Sequence, residues 1–546
     1  MKKKYIFFTL FSVLFFSLCA CSRFYNGPDY SYTPIGASTN KKTVPVGDLE
    51  AEPAKKTYAE YTRNNVYPLS MTPSTKKAHL LVIPVWFTDS NKYIDTSKKE
   101  TVKEDIRTVY FGKNTDIGWR SVKTFYEEES HDANLKITGD VSDWYEPGVS
   151  ATSYYVDSSP KDGPVRTKNL VKSAVDWYFE QNSDVSRTNY DCNKDGYLDG
   201  VMLIYAAPDY QALNNKNYDN MWAYCFWIQE KNNNLNNPVA NAFFWASYDF
   251  MYGSEVVKLR TGKDNYHSGF TKYTTLDSHT YIHEMGHMFG LLDYYDYSNH
   301  KYNPAGGFSM QDHNVGGHDP FSSYALGWGK AYVPTETTQI YLKPFATTGE
   351  MIILSPNYNT NVRTAFDEYL ILEYYTNDGL NYLDSKNMYM EGIKDYPTGS
   401  KQSGIRLWHV DARLAYTTNG QYSTDKITTD PSTSSGKVTL LMTNTYGGAG
   451  ASLSYLTPVY DTNPDYADFN LLELIRNSRS ASTPFAGEGT DLKASDLFRK
   501  SDSFSMSKCS NQFVKKGKLN KGSDLGFSFT VNDLNSDYAS ITVTKL

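Results

Sequence analysis

The stretch YIHEMGHMFGLLDYYD runs from Tyr281 to Asp296. It sets two histidines four residues apart, a glutamate beside the first, and an aspartate six residues after the second. On an α-helix, positions i and i+4 lie one turn apart on the same face. His283 and His287 can therefore aim two imidazoles at one ion. Glu284 sits one step round the helix, where it can hold a water rather than ligate. This is the logic of H-E-x-x-H, two zinc ligands and a general base. Asp277 or Ser278 could cap the start of such a helix.

A catalytic zinc takes three protein ligands and leaves one position open. A glutamate on a second helix about twenty residues downstream is one source of the third, but no Glu occurs between Glu284 and Glu336. The other source is a chain that ends its helix at a glycine and turns back. Gly290 stands three residues after His287, and glycine tolerates the left-handed backbone of such a turn. Asp293 then stands where the ligand should be, with Asp296 in reserve. His313 and His318 are further alternatives. Downstream, GGFSMQDHNVGGHDPFSSYALGW offers Met310 as the methionine of a tight turn beneath the metal. Tyr324 is a candidate for stabilising the oxyanion.

A second polar cluster, DCNKDGYLDG, precedes the apolar run VMLIYAA. Asp191, Asn193, Asp195 and Asp199 alternate around Gly196, as a calcium loop would require. The twelfth position, a glutamate in an EF-hand, is Met202, so this is not an EF-hand. A structural calcium is the expectation; an Asx-rich turn before a strand is the plainer alternative.

The chain of 546 residues, 40% hydrophobic, can bury a sizeable core and more than one layer of it. Its formal net charge is −7 and it has no long basic run, which argues against a nucleic-acid partner. The 46 tyrosines suggest broad amphipathic surfaces and an exported protein. Lys2, Lys3 and Lys4 precede the apolar segment Tyr5–Leu18. That segment is shorter than the roughly 20 residues a spanning helix needs, and suits a signal-peptide core. Leu18-Cys19-Ala20-Cys21 resembles a lipobox, with Cys21 the residue to be lipidated. Only Cys192, Cys225 and Cys509 follow, enough for one disulfide at most.

Four regions are expected: a lipoprotein signal peptide (1–20), a flexible tether (21–75), a catalytic domain (76–350) and a mainly β region (351–546) partly packed on it. HLLVIPVWF, NLKITGDVSDWY and VMLIYAA read as strands, SVKTFYEEES and KNLVKSAVDWYFEQ as helices. After Trp328, runs such as DEYLILEYYT and SGIRLWHVDARL are strand-like, and GFSFTVNDLNSDYASITVTKL reads as a closing hairpin.

These pieces together resemble the immune inhibitor A family of secreted bacterial metallopeptidases. The likeness lies in HEMGHMFGLLDYYD, HLLVIPVWF, TFYEEES followed by LKITGDVSDWY, the DxNxDGxxDG loop, FSMQD, YALGW, DEYLILEYY and GIRLWHVD, in that order over roughly residues 77 to 415. The resemblance implies an α+β fold with a zincin-type (metzincin-like) domain of mixed sheet and active-site helix, and a zinc-dependent endopeptidase. Leu292 stands where the family often has proline.

The expectation is a monomeric, surface-anchored zinc peptidase acting on extracellular proteins or peptides, held to a bacterial membrane by a lipid on Cys21. Zn²⁺ would be held by His283, His287 and Asp293, with Glu284 as base. An edge strand within Ala242–Tyr252 would align the substrate by strand addition. The rival reading is a surface lipoprotein that binds glycans or host protein through a degenerate domain. Glu284 argues against it, because a binding module has no use for a base beside two histidines.

Overall fold

The computed structural model describes residues 43–63, 71–114, 116–117, 119–157, 163–253, 256–263, 275–296, 304–386, 399–418, 421–432, 437–444, 469–477 and 494–546. Cys21 and the apolar segment Tyr5–Leu18 lie outside these. No helix among the described residues is long and apolar enough to cross a membrane.

The chain enters through a two-residue strand, Glu52–Pro53 (β1), and a short helix, Tyr58–Arg63 (α1). The next elements in order are Lys77–Val85 (β2), Lys99–Phe111 (α2), Val122–Glu129 (α3), Lys136–Val141 (β3), Val165–Gln181 (α4), Val201–Tyr205 (β4), Tyr224–Trp227 (β5), Ala242–Ser247 (β6), Val257–Thr261 (α5) and His279–Met288 (α6). Five of these strands form one sheet in the order β3-β2-β4-β6-β5. All its pairings are parallel except β5 with β6. Strands β4 and β6 are buried along their whole length, which explains their unbroken apolar runs. In α4, Leu170, Val171, Ala174, Val175 and Tyr178 form the buried face that their spacing predicts. Helix α3 starts in a reciprocal cap: the Thr124 N–H donates to Ser121 Oγ at 3.1 Å, and the Ser121 N–H to Thr124 Oγ1 at 2.9 Å.

Sequence reading misplaced the sheet edge. The apolar segment from Ala242 forms β6, which is internal; among the described residues the edges are β3 and β5, and β5 is the one beside β6. Strand β5 alternates half-buried Tyr224 and Phe226 with buried Cys225 and Trp227, as an edge covered on one face does.

The second half adds Pro320–Ala325 (α7), Lys330–Tyr332 (β7), Thr338–Leu342 (β8), Glu350–Leu354 (β9), Glu368–Tyr375 (β10), Gly404–Asp411 (β11), Leu414–Thr418 (β12), Gln421–Thr428 (β13), Lys437–Leu440 (β14), Leu472–Ile475 (β15), Ser503–Phe504 (β16), Phe527–Leu534 (β17) and Ala539–Lys545 (β18). A six-stranded sheet runs β1-β7-β9-β10-β11-β15, and a four-stranded sheet β16-β17-β18-β8. The closing hairpin is β17–β18. Strand β10 shows how the layers join. Tyr369 and Ile371 enter the core shared with the first sheet, while Leu370, Leu372 and Tyr374 enter a second core under the four-stranded sheet. Side chains on a strand alternate faces, so one strand serves both cores.

The expected tether stops short of residue 75. Glu52 and Pro53 pair with Ala331 and Lys330, and Tyr58 and Tyr61 are buried against Phe366. Aromatic burial and strand pairing make this segment part of the fold. Many tyrosines are likewise interior rather than displayed. Tyr126 donates to the Ile282 carbonyl at 2.6 Å and Tyr281 to that of Ser247 at 2.7 Å, so their hydroxyls are satisfied inside the core. Cys192, Cys225 and Cys509 are all unpaired.

Candidate metal centre

Helix α6 packs Tyr281, Ile282, Met285 and Met288 into the core and turns His283 and His287 the other way. Its first turn is held by Asp277, whose Oδ1 accepts the His279 N–H at 2.9 Å. Ser278 does not cap it; its hydroxyl donates to the Arg120 carbonyl. The helix ends as the sequence predicts. Gly290 has φ +108°, a left-handed conformation that a side chain resists, and its N–H donates to the His287 carbonyl at 2.9 Å.

The turn delivers Asp293 to the two imidazoles. Its Oδ1 lies 3.0 Å from His283 Nε2 and 3.2 Å from His287 Nε2. Both Nδ1 atoms are committed elsewhere. His283 Nδ1 donates to the Met310 carbonyl at 2.8 Å, and His287 Nδ1 to the Leu291 carbonyl at 2.8 Å. That fixes the tautomers and leaves each Nε2 lone pair for an ion. Two ligands at about 2.05 Å on a tetrahedral ion stand about 3.3 Å apart, so the observed separations suit zinc. Among the described residues, these three form the one group of His, Cys, Asp or Glu whose ligand atoms lie within 4.8 Å of one another.

Electrostatics agree with the geometry. Burial favours a neutral His287, yet the Asp293 carboxylate outweighs it and pushes the imidazole up to about 9. Burial also opposes charge on Asp293, but His287 and His283 hold it well below the usual carboxylate range. Such mutual dependence is what a dication between them would relieve. Glu284 is buried on the same helix, and desolvation raises its carboxyl above the ordinary value. The Cys225 peptide of strand β5 lies near enough to temper that rise slightly. The base therefore sits between the metal ligands and the free edge of the sheet.

Met310 is buried, and its carbonyl accepts from His283 Nδ1. Asp296 is buried but is not one of the three converging groups. Neither His313 nor His318 ligates: His313 pairs with Asp312, and the His318 ring lies against Gln311 and Glu129. Tyr324 is not at the oxyanion position. It is fully buried, with its hydroxyl 2.8 Å from that of Tyr358.

The aspartate loop follows the plainer reading. Asp191 accepts the N–H groups of Asp195 and Gly196 at 3.0 Å each, and Asp195 that of Tyr197 at 3.0 Å. Asp199 accepts those of Cys192 at 2.9 Å and His79 at 2.7 Å. Asp191, Asp195 and Asp199 do not converge within ligand distance of one point.

Sequence reasoning missed Gln311 and the Cys225 peptide as neighbours of the site. Gly286 carried a signal for the first of these. A Cβ there would run into the Gln311 side chain, so the small residue inside the motif marks a close neighbour.

Two imidazoles and a carboxylate around one point, with a buried acid facing a sheet edge, describe a metallopeptidase centre of the H-E-x-x-H kind. Residues 70–314 match the family model for the immune inhibitor A peptidase M6 catalytic domain. A comparison with curated proteins finds no match.

Proposed function

We propose that the protein is a zinc-dependent endopeptidase, exported and anchored to the cell surface through Cys21, that cleaves extracellular proteins or peptides. The observation behind it is the meeting of His283 Nε2, His287 Nε2 and Asp293 Oδ1 beside Glu284. Zinc, when bound by these three residues, supplies Lewis acidity toward water and the scissile carbonyl. Glu284 takes the proton of the attacking water and delivers it to the leaving amine; its raised carboxyl pKa suits both steps. The substrate lies extended along β5, adding a strand to the free edge, rather than along β6. The metzincin-like reading is supported by the left-handed Gly290 and by Asp293 beside the two imidazoles.

A structural calcium in the Asp191–Asp199 loop has no support in the geometry, because Asp191, Asp195 and Asp199 do not converge on one point. Lipid attachment and surface location rest on the sequence of residues 2–21 alone.

The test is Glu284→Gln in the purified soluble portion. Zinc content should match the unmodified protein while casein digestion falls by three orders of magnitude or more. Unchanged digestion would remove Glu284 from the chemistry. Loss of digestion that no chelator affects in the parent protein would remove the metal.

A further inference from the structure

Asp293 belongs to no helix or strand, so something else must hold it on the ion. The residue that follows it is held through both its N–H and its carbonyl. The Tyr294 N–H donates to the Gln311 carbonyl at 2.8 Å, one residue after Met310. The Tyr294 carbonyl accepts from Asn444 Nδ2 at 3.0 Å. Asn444 is buried and lies 130 positions beyond residue 314, where the family match ends.

The orientation of the Asn444 amide is fixed by β15. The Leu472 N–H donates to Asn444 Oδ1 at 2.9 Å, and Nδ2 also donates to the Leu472 carbonyl at 2.9 Å. A backbone N–H can only donate, so the oxygen must face Leu472 and the amide nitrogen must face Tyr294. Strand β15 is itself paired to β11, with Leu472 opposite Val410, so Asn444 is tied to the six-stranded sheet. The same strand holds the approach to the Met310 turn, since the Leu474 N–H donates to the Pro304 carbonyl at 2.9 Å.

We propose that Asn444 is a positioning residue for Asp293, so that the C-terminal sheet region completes the metal centre of the catalytic domain. This rests on the metal-site reading given above. A ligand on an irregular turn needs its neighbouring peptide fixed to within about 0.5 Å to meet an ion in tetrahedral geometry. Asn444 supplies the one side-chain donor to the Tyr294 carbonyl among the described residues.

The experiment compares Asn444→Leu and Asn444→Ala in the full soluble chain with Ile541→Ala, a core change in β18 far from the turn. Melting of the metal-free proteins reports stability, and chelator competition reports zinc affinity. The two Asn444 variants differ in volume but share the lost donor. Both should bind zinc about 10- to 100-fold more weakly, while Ile541→Ala loses stability with zinc affinity unchanged. Unaltered zinc affinity in both Asn444 variants would overturn the assignment and leave the metal site standing. A parent protein that binds no zinc would overturn both.

Discussion

The carbonyl oxygen of Met310 accepts the Nδ1–H of His283 at 2.8 Å. The methionine therefore orients His283 through its backbone, and its side chain is fully buried. Met310→Leu preserves both the carbonyl and most of the volume. It should cost under about 1.5 kcal/mol of stability and leave zinc affinity unchanged. Met310→Ala opens a cavity and should cost about 2–5 kcal/mol. Chemical denaturation with parallel zinc titration checks both. A large loss of zinc affinity in Met310→Leu would show that the thioether itself matters.

Gly286 and Gln311 should behave as a coupled pair. Alanine is the better helix former, by up to about 1 kcal/mol. At position 286, however, its methyl would displace the Gln311 amide, which lies between His287 and His318. Gly286→Ala should therefore destabilise by about 1–3 kcal/mol. Adding Gln311→Ala should return part of that loss, giving a double-mutant coupling above about 0.5 kcal/mol. Additive losses would mean that the two residues do not meet.

His409 gives a pH signature away from the metal. Burial disfavours its charge, but Glu368 at 3.0 Å and Glu473 at 3.1 Å outweigh burial and hold it at about 10. An unfolded histidine titrates near 6.5. A group whose folded value is raised stabilises fully below the unfolded value and loses that contribution as pH climbs through the folded one. The stability advantage over His409→Gln should thus be greatest near pH 6 and shrink steadily from pH 7 to 10. Urea midpoints across that range decide it, and an advantage that grows with pH would contradict the pairing.

The legible parts of the site were local in sequence. His283, Glu284, His287, Gly290 and Asp293 lie within eleven residues, where helix period and one left-handed turn fix the geometry. The unbroken apolar character of VMLIY and AFFWAS also marked central strands, though the edge was assigned to the wrong one. The rest depended on distant partners. Strand β5 precedes β6 in the chain yet lies outside it in the sheet, an order no local pattern encodes. The polar segment around Tyr58 looked like a tether because its burial comes from Phe366, some three hundred residues away. The clasp of Asn444 on Tyr294 spans 150 positions. At Asp191 to Asp199 a pattern suited to a cation also makes turns with its own backbone.

Anomalous diffraction at the zinc edge, on crystals of the zinc-loaded protein, tests the central claim most directly. The account predicts a strong peak about 2.0–2.2 Å from His283 Nε2, His287 Nε2 and Asp293 Oδ1 together, with Glu284 outside bonding distance. A peak bound elsewhere in the molecule, or one that leaves Asp293 out, would contradict it.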